Sequence, residues 1–387
     1  MKKFFLLSLL YIGFSVQAQV NFRPVGFDDL ILKAKGENKL IYIDAYTDWC
    51  GWCVELDKKT FTDSLVSAFM NAHFVCSRME MEKDVWGKKI AAKYVVNGFP
   101  DGLIFDQNGK LVYEISGYAP PKDFLKSLEK AIIKENHFDL KGYSNSFDVK
   151  YPDFYHKAMA GNGKSVFPKK KEVNDYLKKQ KDKFSEPTWV VWKRFSYQLD
   201  EHNKDYLLAN FDNFANLYGR SAMEDIIGTF IYTALDSAGK TKNEALLNEA
   251  LGMADKYIAE SENYKAWMKM TYHEKTKNWV AYAAGVNERI ISGADFSNNS
   301  INEAAWNIYK NSDDIHTIKQ AIGWMEKVVD KDQSYAFLDT YAALLFKDKQ
   351  YELAEKFALL AIEKGNEGKE DVKATETLLG KIKAGKK

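Results

Sequence analysis

Asp48-Trp49-Cys50-Gly51-Trp52-Cys53 decides how this chain is read. Two thiols stand two residues apart between tryptophans. The apolar run Leu40-Ile41-Tyr42-Ile43-Asp44-Ala45-Tyr46 precedes them, and a helical pattern from Val54 to about Met70 follows. The order predicts strand, turn, helix, with Cys50 at the helix start. A cysteine so placed is more often a reactive thiol than packing material, because the first N–H groups of a helix favour a negative sulfur. A bridge between Cys50 and Cys53 closes only a very short loop and constrains the unfolded chain little. Dithiol/disulfide exchange is therefore the expected chemistry, with Cys50 as nucleophile and Cys53, one turn into the helix, as the resolving thiol.

The rest of the composition agrees. At 387 residues the chain is long for one domain. Hydrophobic residues make 46% and charged residues 28%, enough for a sizeable core. The formal charge of +1, with no long single-sign run, argues against a nucleic-acid partner. The start reads as a secretory signal: Lys2-Lys3, the apolar stretch Phe4 to Val16, then Val16-Gln17-Ala18 as cleavage pattern. That apolar run is short for a membrane span. Cleavage after Ala18 would remove Lys2 and Lys3, leaving 53 of the 55 basic residues against 54 acidic ones. The expected location is the periplasm, as a soluble protein. Three cysteines, Cys50, Cys53 and Cys76, are too few for a disulfide-stapled secreted domain.

Along residues 19–137 the patterns give a helix near Phe27–Ala34, a strand at Leu40–Tyr46 and the Cys-x-x-Cys helix. A strand at His73–Met79, a helix at Asp84–Val95 and a turn at Asn97-Gly98-Phe99-Pro100 come next. Two strands then flank the hairpin signal Gln107-Asn108-Gly109, and Pro120-Pro121 opens a last helix. This segment resembles the thioredoxin superfamily, in particular exported thioredoxin-like proteins with a Trp-Cys-x-x-Cys site. The resemblance covers about residues 25–135. It rests on Trp49-Cys50-Gly51-Trp52-Cys53, on Asp44 where the family has a buried acid, on Gly98-Phe99-Pro100 as its cis-proline loop, and on the Gly117 turn.

The resemblance implies the same roles for Cys50 and Cys53 and a proton relay through Asp44. It also implies a peptide-docking edge of Trp49, Gly51, Trp52, Phe99 and Pro100, the last with a cis bond. From the residues alone, Asp44 on an apolar strand is either protonated near neutrality or paired, with Arg78 the nearest candidate. Two positions depart from the family: Gly-Trp between the cysteines instead of Gly-Pro, and Asp101 after the proline instead of Thr. The first leaves the direction of electron flow open, the second the substrate. Cys76 reads as core. Structural zinc is the rival use of paired cysteines, but there is no second pair and the six histidines are scattered. No metal and no organic cofactor is expected; the redox-active disulfide itself carries the electrons.

After a linker at 138–150 the pattern turns helical through 151–387. Ile318, Ala321, Trp324 and Val328 recur 33 residues later as Tyr351, Ala354, Phe357 and Ala361, which resembles tetratricopeptide repeats within 301–364. The expected architecture is an α/β thioredoxin-like fold followed by an all-α, repeat-like domain that binds a protein or peptide. The expected partners are protein thiols and disulfides and an electron donor in the membrane or periplasm. The alternative is a helical-repeat binding or scaffold protein whose thioredoxin-like part is a platform with little redox activity.

Overall fold

The computed structural model describes residues 19–161, 163–292 and 296–386. The expected signal segment, 1–18, lies outside the described residues. The chain forms two compact units, residues 1–223 and 224–387.

The first unit is built on a four-stranded sheet of order β2-β1-β3-β4. β1 (Leu40–Tyr46) pairs parallel with β2 (Phe74–Glu80) and antiparallel with β3 (Asp101–Phe105), which in turn pairs antiparallel with β4 (Leu111–Ser116). β1 is central and apolar on both faces, as its continuous hydrophobic run predicts. Side chains alternate across it. Ile41, Ile43 and Ala45 join a core with Phe27, Leu30 and Ala34 of α1 (Phe27–Glu37) and Ile90 and Tyr94 of α4 (Val85–Tyr94). Tyr42 points the other way, into a core with Leu56, Phe61, Val66 and Met70, and with Phe124 and Leu128 of α5 (Pro121–Ala131). Gly109 closes the β3–β4 hairpin at φ 78°, a conformation that costs glycine least. Gly102 pairs with Asp44 across the sheet, and a Cβ there would lie 2.7 Å from the hydroxyl of Tyr42, so glycine is favoured.

One expectation changes in detail. The helix after the cysteines is not continuous to Met70. α2 (Gly51–Glu55) runs into a π-helical turn, Leu56–Thr60, and the chain restarts as α3 (Ser64–His73). The restart has a local cause: Asp63 Oδ1 accepts the Leu65 and Val66 amides, an N-cap. The Thr60 hydroxyl donates to the Ala119 carbonyl and ties the π turn to the loop after β4.

Residues 138–150, read from composition as a linker, pack against the sheet domain instead. Phe138 stacks on Tyr113, and Phe147 meets Phe27, Trp86 and Tyr94. Both rings are half-buried, so each contributes part of the about 1.5–3 kcal/mol of full burial, and this segment is held rather than free. It leads into α6 (Asp153–Ala158), α7 (Lys170–Lys179), α8 (Glu186–Arg194), α9 (Glu201–Ala209) and α10 (Phe211–Tyr218). These helices belong to the same unit, so the compact division falls after Met223 and not near residue 150. A buried ion pair joins the two halves of this unit. Lys93 Nζ lies 2.8 Å from Glu186 Oε1 and also donates to the Ser146 carbonyl, while Glu186 accepts from the Tyr151 hydroxyl and the Ser144 amide.

α11 (Arg220–Thr241) spans the boundary, and the rest of the second unit is helical: α12 (Glu244–Tyr257), α13 (Ser261–Thr276), α14 (Trp279–Ile291), α15 (Asn298–Asn311), α16 (Ile315–Val329), α17 (Tyr335–Lys347), α18 (Tyr351–Gly368) and α19 (Lys373–Gly385). From α12 onward each helix packs on the next. The small residues of the 33-residue pattern, Ala321, Ala354 and Ala361, are fully buried where helices approach. Among the described residues no helix is long and apolar enough to cross a membrane.

Candidate active site

Cys50 is the N-cap of α2, and Cys53 lies in its first turn. Their sulfurs form a disulfide of 2.08 Å. Cys50 Sγ accepts the Cys53 amide at 3.0 Å, so the helix start directs a donor at that sulfur. The turn is anchored to β2: the Asp48 amide donates to Glu80 Oε1 at 3.3 Å, and Lys83 pairs with Asp48. Both cysteines are buried, at 5% and 3% exposure, yet Trp49 and Trp52 beside them are 66% and 61% exposed. The disulfide is therefore recessed within an open aromatic rim.

That rim is continuous. Trp49 meets Phe99 edge-to-face at 5.8 Å, and its indole N–H donates to Glu82 Oε2. The Phe99–Pro100 bond is cis. The Pro100 carbonyl accepts the Gly117 amide at 2.8 Å, and the next residue, Tyr118, stacks on Trp52 at 5.4 Å. Gly51 is exposed between the two cysteines, while Phe99 is half-buried and Pro100 buried. Of the residues expected at a docking edge, Trp49 and Trp52 flank the cysteines, Phe99 meets Trp49, and Pro100 joins Gly117, the residue before the Trp52 partner Tyr118. Glu82 and Tyr118 were not singled out in the sequence. Each is one of many acidic or aromatic residues, and neither carries a spacing signal.

Asp44 is 1% exposed and shares the sheet face of Tyr42, the face packed against Leu56 and Phe61 after the cysteine-bearing helix. The pairing with Arg78, one of its two sequence readings, is present. Its Oδ2 accepts from Arg78 Nε at 2.8 Å, across the β1–β2 register that sets Asp44 beside Arg78. Its Oδ1 is buried with no hydrogen-bond partner. Burial pushes the carboxyl up to about 6, Arg78 pulling against it. Arg78 is shared: its other arm reaches Asp57 at 3.0 Å, and it lies 4.6 Å from the Tyr46 ring.

Asp101, directly after Pro100, is buried and accepts from the Ser116 hydroxyl, which also reaches Glu114. Burial, then the Glu114 carboxylate, hold its carboxyl well above the usual range. Cys76 is core, as expected, 1% exposed in β2, and burial pushes its thiol up to about 12. Among the described residues no group of three or more His, Cys, Asp or Glu is placed to hold a metal ion.

Comparison with known proteins gives this geometry its place. Residues 27–132 match the family model of a thioredoxin-like domain. The thiol:disulfide interchange protein DsbD of Photorhabdus laumondii is 26% identical over 117 residues, 29% of this chain and 20% of that protein. Its namesake from Actinobacillus pleuropneumoniae is 30% identical over 97 residues, 24% of this chain and 16% of that one. This chain thus spans a fifth or less of the length of these two relatives. A solution structure of a proposed disulphide-isomerase from Bacteroides thetaiotaomicron is 35% identical, over 30% of this chain and 94% of that one, with a TM-score of 0.28. Residues 27–132 are thus a thioredoxin-like domain.

Proposed function

We propose that this protein is an exported thiol–disulfide oxidoreductase that exchanges disulfides with partner proteins through Cys50 and Cys53. The observation that carries the reading is the recessed disulfide at a helix start, ringed by exposed aromatics. In the reduced protein the Cys53 amide and the other first-turn N–H groups favour a thiolate at Cys50, and a thiol near 8.5 falls to about 7 or below at such positions. That thiolate attacks one sulfur of a partner disulfide. A mixed disulfide forms and the partner's other sulfur leaves as a thiolate. Cys53, losing its proton, then attacks the Cys50 sulfur, which restores the Cys50–Cys53 bond and releases the reduced partner. The electron pair ends on the partner's two sulfurs, and the reverse sequence oxidises a dithiol.

In this reading Asp44 takes and returns the Cys53 proton. Its unpartnered Oδ1 and a carboxyl held at about 6 suit it to change protonation near neutral pH. Trp49, Gly51, Trp52, Phe99 and Pro100 receive the partner's backbone, and the second unit captures a partner polypeptide on its helix pairs. The site of action is the periplasm, with an electron donor there or in the membrane.

Insulin reduction under dithiothreitol, followed by turbidity, tests the exchange. Activity is expected in the wild type and lost in Cys50→Ser; full activity in that variant, or none in the wild type, rejects the proposal. Cys53→Ser should retain partners from cell envelopes as mixed disulfides through Cys50.

A further inference from the structure

A small cavity opens beside Trp49, the residue before Cys50, and its far wall comes from outside the thioredoxin-like domain. Its near side is Trp49 and Phe99, the edge-to-face pair of the rim. Its far side is Met159 and Ser165 from the segment after α6, and Arg194 at the end of α8. The volume is about 90 Å³. At roughly 30 Å³ per water this has room for a few waters or one short side chain, not a cofactor.

The polar groups facing this space are not equally served. Glu82 on the near side accepts the Trp49 indole N–H. The Ser165 hydroxyl accepts the Gly161 amide. Arg194 differs: its Nε is buried with no hydrogen-bond partner, and its guanidinium lies over the Phe167 ring at 5.1 Å. A buried donor left unmade costs about 1–3 kcal/mol, and more when charged. A planar guanidinium lining a small cavity fits a carboxylate above other small groups.

We propose that this cavity is a specificity subsite that takes an acidic side chain, Asp or Glu, flanking the cysteine of the docked partner. The inference rests on the exchange reaction proposed above and adds the substrate class. Docked along the Trp49–Phe99 rim, a partner would place a residue next to its cysteine at the cavity mouth. Arg194 would meet that carboxylate from a half-buried position, where a charged hydrogen bond outweighs one at the open surface. The extension after the thioredoxin-like domain would then read the partner while the cysteines perform the exchange.

The test uses the full chain and three disulfide-bonded peptides that differ only in the residue beside the cysteine: Glu, Gln or Lys. Wild type is expected to reduce the Glu peptide with a kcat/KM about tenfold above the Gln peptide, the worth of one charge-assisted hydrogen bond, and the Lys peptide slowest. Arg194→Met should erase the Glu preference and leave the Gln rate within about twofold. Arg194→Lys, which keeps the charge, should retain the preference and guards against loss of the fold. Equal rates for Glu and Gln in wild type, or an intact preference in Arg194→Met, overturn the subsite and leave the exchange reaction standing. Absence of reduction with all three peptides and with insulin overturns both.

Discussion

Asp44→Asn should make the sheet unit more stable at neutral pH, although it deletes an ion pair. The carboxyl is held at about 6 in the fold, against about 3.9 in an unfolded chain. Folding therefore favours the protonated form. The associated stability is complete below pH ~4 and is lost as pH rises through 6. Two pH units at about 1.4 kcal/mol each amount to about 3 kcal/mol, the charge penalty the fold carries at pH 7. Asparagine cannot ionise and escapes it, while Arg78 keeps Asp57 at 3.0 Å. Cys76 provides the readout. With Cys50 and Cys53 bonded it is the one free thiol of the three cysteines, and it is buried in β2. Samples equilibrated in urea at pH 4 to 7.5, then pulsed briefly with a thiol reagent at pH 8, report opening of the sheet unit alone. At a slope of about 2 kcal/mol/M the variant's midpoint at pH 7 should lie about 1.5 M above wild type, with the gap closing towards pH 4. A gap independent of pH, or one that widens as pH falls, refutes the reasoning.

Other perturbations follow from single contacts. Lys93→Met leaves Glu186 buried and unpaired and should cost about 3–5 kcal/mol by the same Cys76 assay, whereas Lys93→Met with Glu186→Leu should recover most of it. Tyr42→Phe removes a buried hydroxyl that has no partner and should be neutral or stabilising. Gly102→Ala should cost about 1–3 kcal/mol, and Tyr42→Phe in the same chain should relieve part of that, because the new methyl collides first with the Tyr42 hydroxyl. If the double variant is no better than Gly102→Ala alone, the collision is not the cause.

The sheet, the cysteine turn and the Asn108-Gly109 hairpin were legible because their signals are local: an apolar run, a spacing, a turn dipeptide. The pairing of Asp44 with Arg78 was legible as one of two options, since adjacent strands were already assigned. The π turn was not, because Leu56–Thr60 has the same apolar spacing as a regular helix and only the Asp63 cap breaks it. The extent of the first unit was hidden for a different reason. Its ties span the sequence: Lys93 to Glu186, Lys193 to the Tyr94 carbonyl, the Trp189 indole to the Tyr143 hydroxyl. Read singly, Lys93, Glu186 and Lys193 look like solvated surface, and composition shifts at residue 138 although packing does not end there. Arg194 escaped notice likewise, since nothing near it in the chain marks its place beside Trp49.

The buried Lys93–Glu186 pair bears on how this protein can be cut and moved. A fragment ending at residue 137, just past the family resemblance, would strand an ammonium among Tyr94, Leu111 and the bared Phe27 ring, surfaces that Tyr143 and Phe147 cover in the intact chain. The fragment to try, for grafting the redox pair onto another protein or trimming it for spectroscopy, is residues 19–223, within the first compact unit.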